Sequence, residues 1–185
     1  MRASVLSAIL ALTSHAAIAL AVPVAGARVA AVKLVDSNDR ERLIPSGPEG
    51  RVAQLVLYQD KDASGQNARA EVLIGRYTDR KDNADKLEFL ATADVSQYAW
   101  WPARRYALSD IRKTASKEGL AVVIDWKGAA RIAWGLTRGK SAIVLFARDG
   151  HVLFAAEGTL DDAQIARLDT ELGATGARKL EDSSP

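Results

Sequence analysis

The residues best suited to chemistry in this chain are oxygen ligands grouped between positions 60 and 71. Asp60, Asp62, Ser64 and Glu71 occupy the first, third, fifth and twelfth places of a segment whose sixth residue is Gly65. That spacing matches the twelve-residue loops that bind Ca²⁺ through oxygen atoms. The segment before it is an apolar run of strand length rather than a helix, so we favour a polar turn that caps a helix. Calcium remains a candidate cofactor for this loop, and otherwise no cofactor is expected.

Nucleophilic chemistry has little support elsewhere in the chain. The sequence contains no cysteine, which excludes reactions that need a thiol. A serine nucleophile requires a general base, and His151 is the one histidine beyond residue 27. A lone histidine also disfavours a zinc site, which usually takes several His or Cys ligands. We therefore predict that the protein is not an enzyme, and keep an enzyme of non-thiol chemistry as a further alternative.

The charged residues are balanced and interspersed. The chain has 25 basic and 23 acidic residues, without the clustered basic face that nucleic-acid binding requires. We expect no nucleic-acid partner.

The first residues are typical of a secretory signal. Arg2 precedes a mostly apolar segment, and the small residues Ala25-Gly26-Ala27 form a cleavage site. A second possible site ends at Ala21. We therefore predict a signal peptide over residues 1–27, a periplasmic location, and no membrane attachment after cleavage.

Apolar runs and turn residues predict strands that alternate with helices. Strands are predicted at 29–36, 52–58, 87–95, 120–124, 141–146 and 151–156, and helices at 64–78, 100–118 and 159–173, with a short helix before the strand at 141. Asp62 or Ser64 should cap the first helix, and Thr159 with Asp162 should form a capping box before the last. Such alternation favours parallel strands and right-handed crossovers. The expected architecture is α/β, with a mixed central sheet between helices and a flexible tail over 174–185.

Three groups of motifs carry a resemblance to known proteins. They are QLVLY (54–58) with DKDASGQN (60–67), VIDWKG (123–128) with AWGL (133–136), and SAIVLF (141–146) with RDGHV (148–152) and EGTLDDA (157–163). Together with the order of elements they resemble the thioredoxin fold, and most closely the YtfJ-like family of bacterial periplasmic proteins. The resemblance implies one thioredoxin-like domain over residues 28–173 with an N-terminal strand extension. It implies a fold more than an activity, because the family is poorly characterised.

The resemblance also indicates where a site would lie. Redox-active proteins of this fold place two cysteines where the first core strand meets its helix, and a cis-proline before the fourth strand. Neither group is present at the equivalent positions of this chain, near residues 60–67 and near Ser141. The resemblance thus implies a redox-inactive module that binds an unknown periplasmic protein or small ligand. The predicted groove residues are Asp60, Asp62, Ser64, Asn67, Trp134 and Ser141.

A pair of tryptophans offers a second possible ligand surface. Trp100 and Trp101 are followed closely by Arg104 and Arg105, and arginine beside an aromatic ring can hold an anion or form cation–π contacts. We favour the alternative that one tryptophan packs beneath the following helix and that the arginines are solvated.

Overall fold

A seven-stranded mixed sheet forms the centre of the computed structural model, which describes residues 22–46 and 52–180. The strands are β1 (Val32–Asp36), β2 (Glu41–Ile44), β3 (Ala53–Gln59), β4 (Leu87–Asp94), β5 (Val122–Asp125), β6 (Ala142–Phe146) and β7 (Val152–Glu157). They are arranged in the order β2-β1-β5-β4-β3-β6-β7. β3, β4 and β5 run parallel, while β1 and β6 pair antiparallel with β5 and β3. The predicted mixed sheet is confirmed.

Four helices connect or follow these strands. They are α1 (Ala68–Thr78), α2 (Ala103–Glu118), α3 (Ala129–Ala133) and α4 (Asp162–Ala174). Single 3₁₀ turns lie at Lys81–Asn83 and Ser96–Tyr98. Within the described ranges, no helix has the length and apolar character needed to cross a membrane.

The nearly unbroken apolar sequence of β3 reflects burial on both faces of the sheet. Leu55 and Leu57 belong to the core beneath α1 and α4. Val56 and Tyr58 belong to a second core that includes Ala130 of α3. Successive side chains of β3 therefore point alternately into the two cores, as expected for a strand that is covered on both sides.

The N-terminal extension is a hairpin rather than a single strand. β2 pairs antiparallel with β1 across the Asp36–Arg40 turn. This second strand is absent from the sequence prediction, because Glu41 and Arg42 interrupt the apolar pattern at an edge of the sheet. The buried end of β2 is Ile44.

All three long helices begin later than predicted, α2 at Ala103 rather than residue 100 and α4 at Asp162 rather than residue 159. α1 begins at Ala68, four residues after Ser64, and its N-cap residue is Asn67. The turns between β3 and α1 include Gly65 at φ +79°, a left-handed conformation that interrupts a helix. Neither Asp62 nor Ser64 therefore caps α1.

The capping box of α4 is formed by Asp161 and Gln164, not by Thr159 and Asp162.

The described part of the predicted flexible tail is packed on the domain. The carboxamide of Asn83 donates to the carbonyl of Arg178 at 2.7 Å and accepts from its N–H at 2.8 Å. Leu180 N–H donates to the carbonyl of Arg76, and Ala177 is buried. The sequence did not reveal this docking because its partners lie about 100 residues away. Residues 181–185 lie outside the described part, as do residues 1–21 of the predicted signal.

Candidate binding site at the carboxyl ends of the parallel strands

The predicted groove begins at Asp60, which ties two loops together. Its Oδ1 accepts a hydrogen bond from Ala63 N–H at 2.9 Å, within the β3–α1 loop. Its Oδ2 accepts from Gly139 N–H at 2.7 Å, in the loop that precedes β6. Asp60 is buried. The loops that the sequence analysis placed together do meet, and this carboxylate holds them there.

Gln66 makes a second bridge between the same loops, and the sequence analysis missed it. Its Nε2 donates to the carbonyl of Gly139 at 2.8 Å, and its Oε1 accepts from Ser141 N–H at 3.1 Å. The carboxamide thus pairs with the backbone as a neighbouring strand would. Ser141 itself is fully buried, and its Oγ accepts from Gln59 Nε2 at 3.2 Å.

Asn67 and Trp134 are also held inside the protein. Asn67 Nδ2 donates to the carbonyl of Gly158 at 2.8 Å, and its Oδ1 accepts from Leu160 N–H at 2.9 Å. Trp134 lies in the core on the α3 side, with its ring edge-on to Phe146 and 2% of its surface exposed. We had placed Trp134 in the groove, and its position on the other face corrects that placement. Its Nε1 donates to a backbone carbonyl at 3.0 Å.

Of the four residues predicted to bind calcium, two already accept hydrogen bonds within the protein and two are exposed to solvent. Both oxygens of Asp60 accept backbone hydrogen bonds, and Glu71 Oε1 accepts from Gln59 Nε2 at 3.0 Å. Asp62 and Ser64 are exposed. Among residues 22–46 and 52–180, no group of three or more His, Asp or Glu side chains is placed to hold a metal ion. Calcium binding stays a prediction that no feature of the geometry favours.

A cavity of about 440 Å³ lies between α2 and the sheet, at the carboxyl ends of β3 and β4. Its apolar wall includes Leu57, Ala91, Ala93, Ile111 and Val122. Open α/β sheets place their ligands at this end of the parallel strands, and the volume is within the range of small-molecule sites.

Exposed polar side chains border the same cavity. Lys61, Ser64 and Asp110 line it and are exposed, and Asp60 lines it from a buried position. Of the six predicted groove residues, the structure therefore brings Asp60 and Ser64 to a cavity.

The helix that covers this cavity is weakly anchored. Among the sixteen residues of α2, Ala115 is the one that is buried. Ala107 and Ile111 are half-buried because their inner surfaces face the cavity. A helix with so few buried side chains has little packing energy to hold it in place. α2 therefore packs less tightly on the sheet than α1, which has four buried residues.

The tryptophans before α2 do not pack beneath it. Trp100 and Trp101 are 62% and 81% exposed, which corrects the expectation that one of them is buried. Both precede the first residue of the helix, Ala103, and so lie outside its buried face. Arg104 instead lies over Trp126, with its guanidinium carbon 4.6 Å from the centroid of that ring.

A buried polar network lies on the α3 side of the same strand ends. Tyr58 Oη donates to Asp125 Oδ2 at 3.0 Å. Asp125 also accepts from the N–H groups of Ala129 and Ala130 at the start of α3, at 2.8 and 2.9 Å. Burial, together with the nearby carboxylates, raises the pKa of Tyr58 far above its usual range. Tyr58 is therefore a neutral hydrogen-bond donor at physiological pH.

Asp94 extends this network to Arg131. The Nε of Arg131 donates to Asp94 Oδ2 at 3.0 Å, and the carboxylate is 3% exposed. Burial alone would raise the pKa of Asp94, but hydrogen bonds from Ser96 and Arg131 outweigh it and lower the pKa. The network joins the ends of β3, β4 and β5 to α3. Sequence reasoning missed it, although Asp94 and Asp125 each stand as the last residue of a core strand.

The strand order and helix placement define a thioredoxin-like fold, and solved structures agree. A thiol peroxidase from Chromobacterium violaceum matches with a TM-score of 0.58 at 13% identity, over 84% of this chain and 90% of that one. A protein assigned as thiol:disulfide interchange protein DsbE from Chlorobium tepidum has a TM-score of 0.59 at 13% identity, over 83% and 98%. The exposed lipoprotein thioredoxin Etrx1 from Streptococcus pneumoniae has a TM-score of 0.52 at 12% identity, over 77% and 100%.

The sequence comparisons point to one family. The model of YtfJ_HI0045, described as a bacterial protein of unknown function, matches residues 104–172, from α2 into α4. The resemblance to YtfJ-like proteins is therefore confirmed over that range. No curated protein matches the chain by sequence.

Proposed function

We propose that this protein is an exported, redox-inactive binding module, and that the cavity beneath α2 is its ligand site. The observation that supports this proposal best is the position of the cavity. It adjoins the β3–α1 loop, where redox proteins of this fold hold their thiols, and the chain has no cysteine to place there. Binding without thiol chemistry is the function that remains for this end of the sheet.

The cavity favours a ligand with an apolar body and a small polar end. Its wall is formed by aliphatic side chains such as Leu57 and Ile111, which gain from contact with apolar surface. Lys61 and Asp110 can bind polar groups of either charge at the border. The ligand is either a small molecule or an apolar side chain of a periplasmic protein.

The loop beside the cavity is a poor site for an added peptide strand. Gln66 already pairs with the carbonyl of Gly139 and the N–H of Ser141, and the carbonyl of Ser141 accepts from Gly158 N–H at 2.7 Å. A peptide that added a strand here would need those same backbone groups. Recognition through a side-chain pocket is therefore favoured over strand addition.

A matched pair of substitutions tests the cavity. Ile111→Trp should fill the cavity, whereas Ile132→Trp places the same residue at a 59% exposed position on α3. We expect Ile111→Trp to weaken binding of 8-anilinonaphthalene-1-sulfonate at least tenfold. If native mass spectrometry detects a small molecule on the native protein isolated from periplasm, the Ile111→Trp variant should not carry it. Ile132→Trp should leave both unchanged. Equal binding by the two variants would contradict the cavity as the ligand site.

Separate measurements test redox inactivity and export. The purified protein should neither accelerate insulin reduction by dithiothreitol nor consume hydroperoxides. Clear turnover in either assay would contradict the assignment as a non-enzyme.

The export proposal is supported by the signal-like N-terminus and by relatives of the same fold such as the exposed lipoprotein thioredoxin. Cell fractionation should find the protein in the periplasm.

A further inference from the structure

The segment before β1 is part of the folded domain, although it contains one of the two small-residue cleavage sites. Gly26 N–H donates to the carbonyl of Val152 at 2.8 Å, and Val152 N–H donates to the carbonyl of Ala27 at 2.9 Å. Arg28 then forms an antiparallel bridge with His151. Pro23, further upstream, is buried. These residues extend the sheet beside the first residues of β7.

Cleavage after Ala27 would remove both of these backbone hydrogen bonds and leave the bridge between Arg28 and His151. The N–H of Gly26 and the carbonyl of Ala27 would be lost, and both are partners of Val152. Val152 is 1% exposed, and buried backbone groups without partners are destabilising. The cut would also convert the backbone nitrogen of Arg28 into a charged ammonium beside the strand.

Cleavage after Ala21 would keep every one of these contacts. Ala19 and Ala21 provide small residues at the third and first positions before that bond, as signal cleavage requires. Both alanines lie outside the described residues, and Val22 is the first residue within them.

We propose that the signal is cut after Ala21, so that the mature chain begins at Val22 and residues 22–27 belong to the domain. This inference rests on the proposed export of the protein. It moves the domain boundary from residue 28, where the sequence analysis put it, to residue 22.

Intact mass and N-terminal sequencing of periplasmic protein, expressed from the full chain, test the proposal. We expect a mature form that begins at Val22. A form that begins at Arg28 would overturn the cleavage site and leave the export proposal intact. Precursor of full mass confined to the cytoplasm would overturn both.

Paired variants sharpen this experiment. Ala21→Gln should make precursor accumulate, because a long side chain replaces the small residue before the bond, whereas Ala27→Gln should still yield Val22 as the first residue. The opposite pattern would place cleavage after Ala27.

Thermal unfolding provides an independent test. A chain starting at Arg28 should melt roughly 2–8 °C below one starting at Val22, because it lacks two backbone hydrogen bonds. Equal melting temperatures would show that residues 22–27 do not contribute to the domain.

Discussion

Asp60 Oδ2 accepts a hydrogen bond of 2.7 Å from the backbone N–H of Gly139, so a carboxylate fastens the loop after β3 to the loop before β6. Its other oxygen accepts from Ala63 N–H. The resemblance to the thioredoxin fold implies that redox-active proteins of this fold carry their thiols at the same junction. In this protein, polar side chains at the junction bind the backbone of the two loops to each other. The cavity lies beside the junction, under α2.

Asp60→Ala should destabilise the protein by about 2–4 kcal/mol. Two hydrogen bonds to a charged acceptor are lost, and Gly139 N–H loses its partner. The measurement is the free energy of unfolding from urea titration. Asp62→Ala, two residues away and exposed, is the control and should change stability by less than about 0.5 kcal/mol. A similar loss in both variants would contradict the role given to Asp60.

Gln66→Ala should speed amide hydrogen exchange at Ser141. The N–H of Ser141 donates to Gln66 Oε1, and removing that acceptor leaves the amide open to local exchange. Asp60→Ala provides the cross-check, because it should speed exchange at Gly139 more than at Ser141. Unchanged exchange at Ser141 in Gln66→Ala would contradict the bridge.

The order of the core elements could be predicted from the sequence, because β6 is apolar throughout, β3 is nearly so, and the turns carry Gly, Asp and Pro. The strand β2 could not, since Glu41 and Arg42 lie at an edge where polar residues are tolerated. The groove was only half predictable. The sequence shows that residues 60–67 and Ser141 belong to adjacent loops, but not which way each side chain points.

Trp134 and Asn67 illustrate the difference. Both have chemistry suited to a ligand, and both are buried among partners that are distant in sequence: Ala30 for Trp134, Gly158 and Leu160 for Asn67. The cavity could not be predicted for a different reason. It arises because α2 is held to the sheet by few side chains, and an absence of packing leaves no pattern in the sequence of the helix.

Asp94→Asn should reduce the loss of stability in acid. In the folded protein the pKa of Asp94 is lowered from 3.8, because its hydrogen bonds outweigh the effect of burial. A lowered pKa means that the carboxylate contributes stability above the unfolded value, and that this contribution is lost as pH falls through the folded value. The variant lacks that titration. Unfolding free energies measured from pH 6 down to acid should therefore fall less steeply below about pH 4 in Asp94→Asn than in the native chain. Identical slopes would contradict this contribution.

Gly128→Ala should be more harmful than Gly119→Ala, although both glycines have a left-handed backbone, with φ of +64° and +67°. A Cβ at Gly119 would meet nothing within 4 Å, so that variant should lose about 1–2 kcal/mol from backbone strain alone. A Cβ at Gly128 would stand 2.6 Å from Arg131 Nη2. Arg131 Nε lies 3.2 Å from the same Cβ and donates to the buried carboxylate of Asp94. We expect the displaced side chain to lose that hydrogen bond, and breaking a buried ion pair costs about 3–5 kcal/mol. Urea unfolding of the two variants measures the difference, and equal losses would show that Arg131 moves without disturbing Asp94.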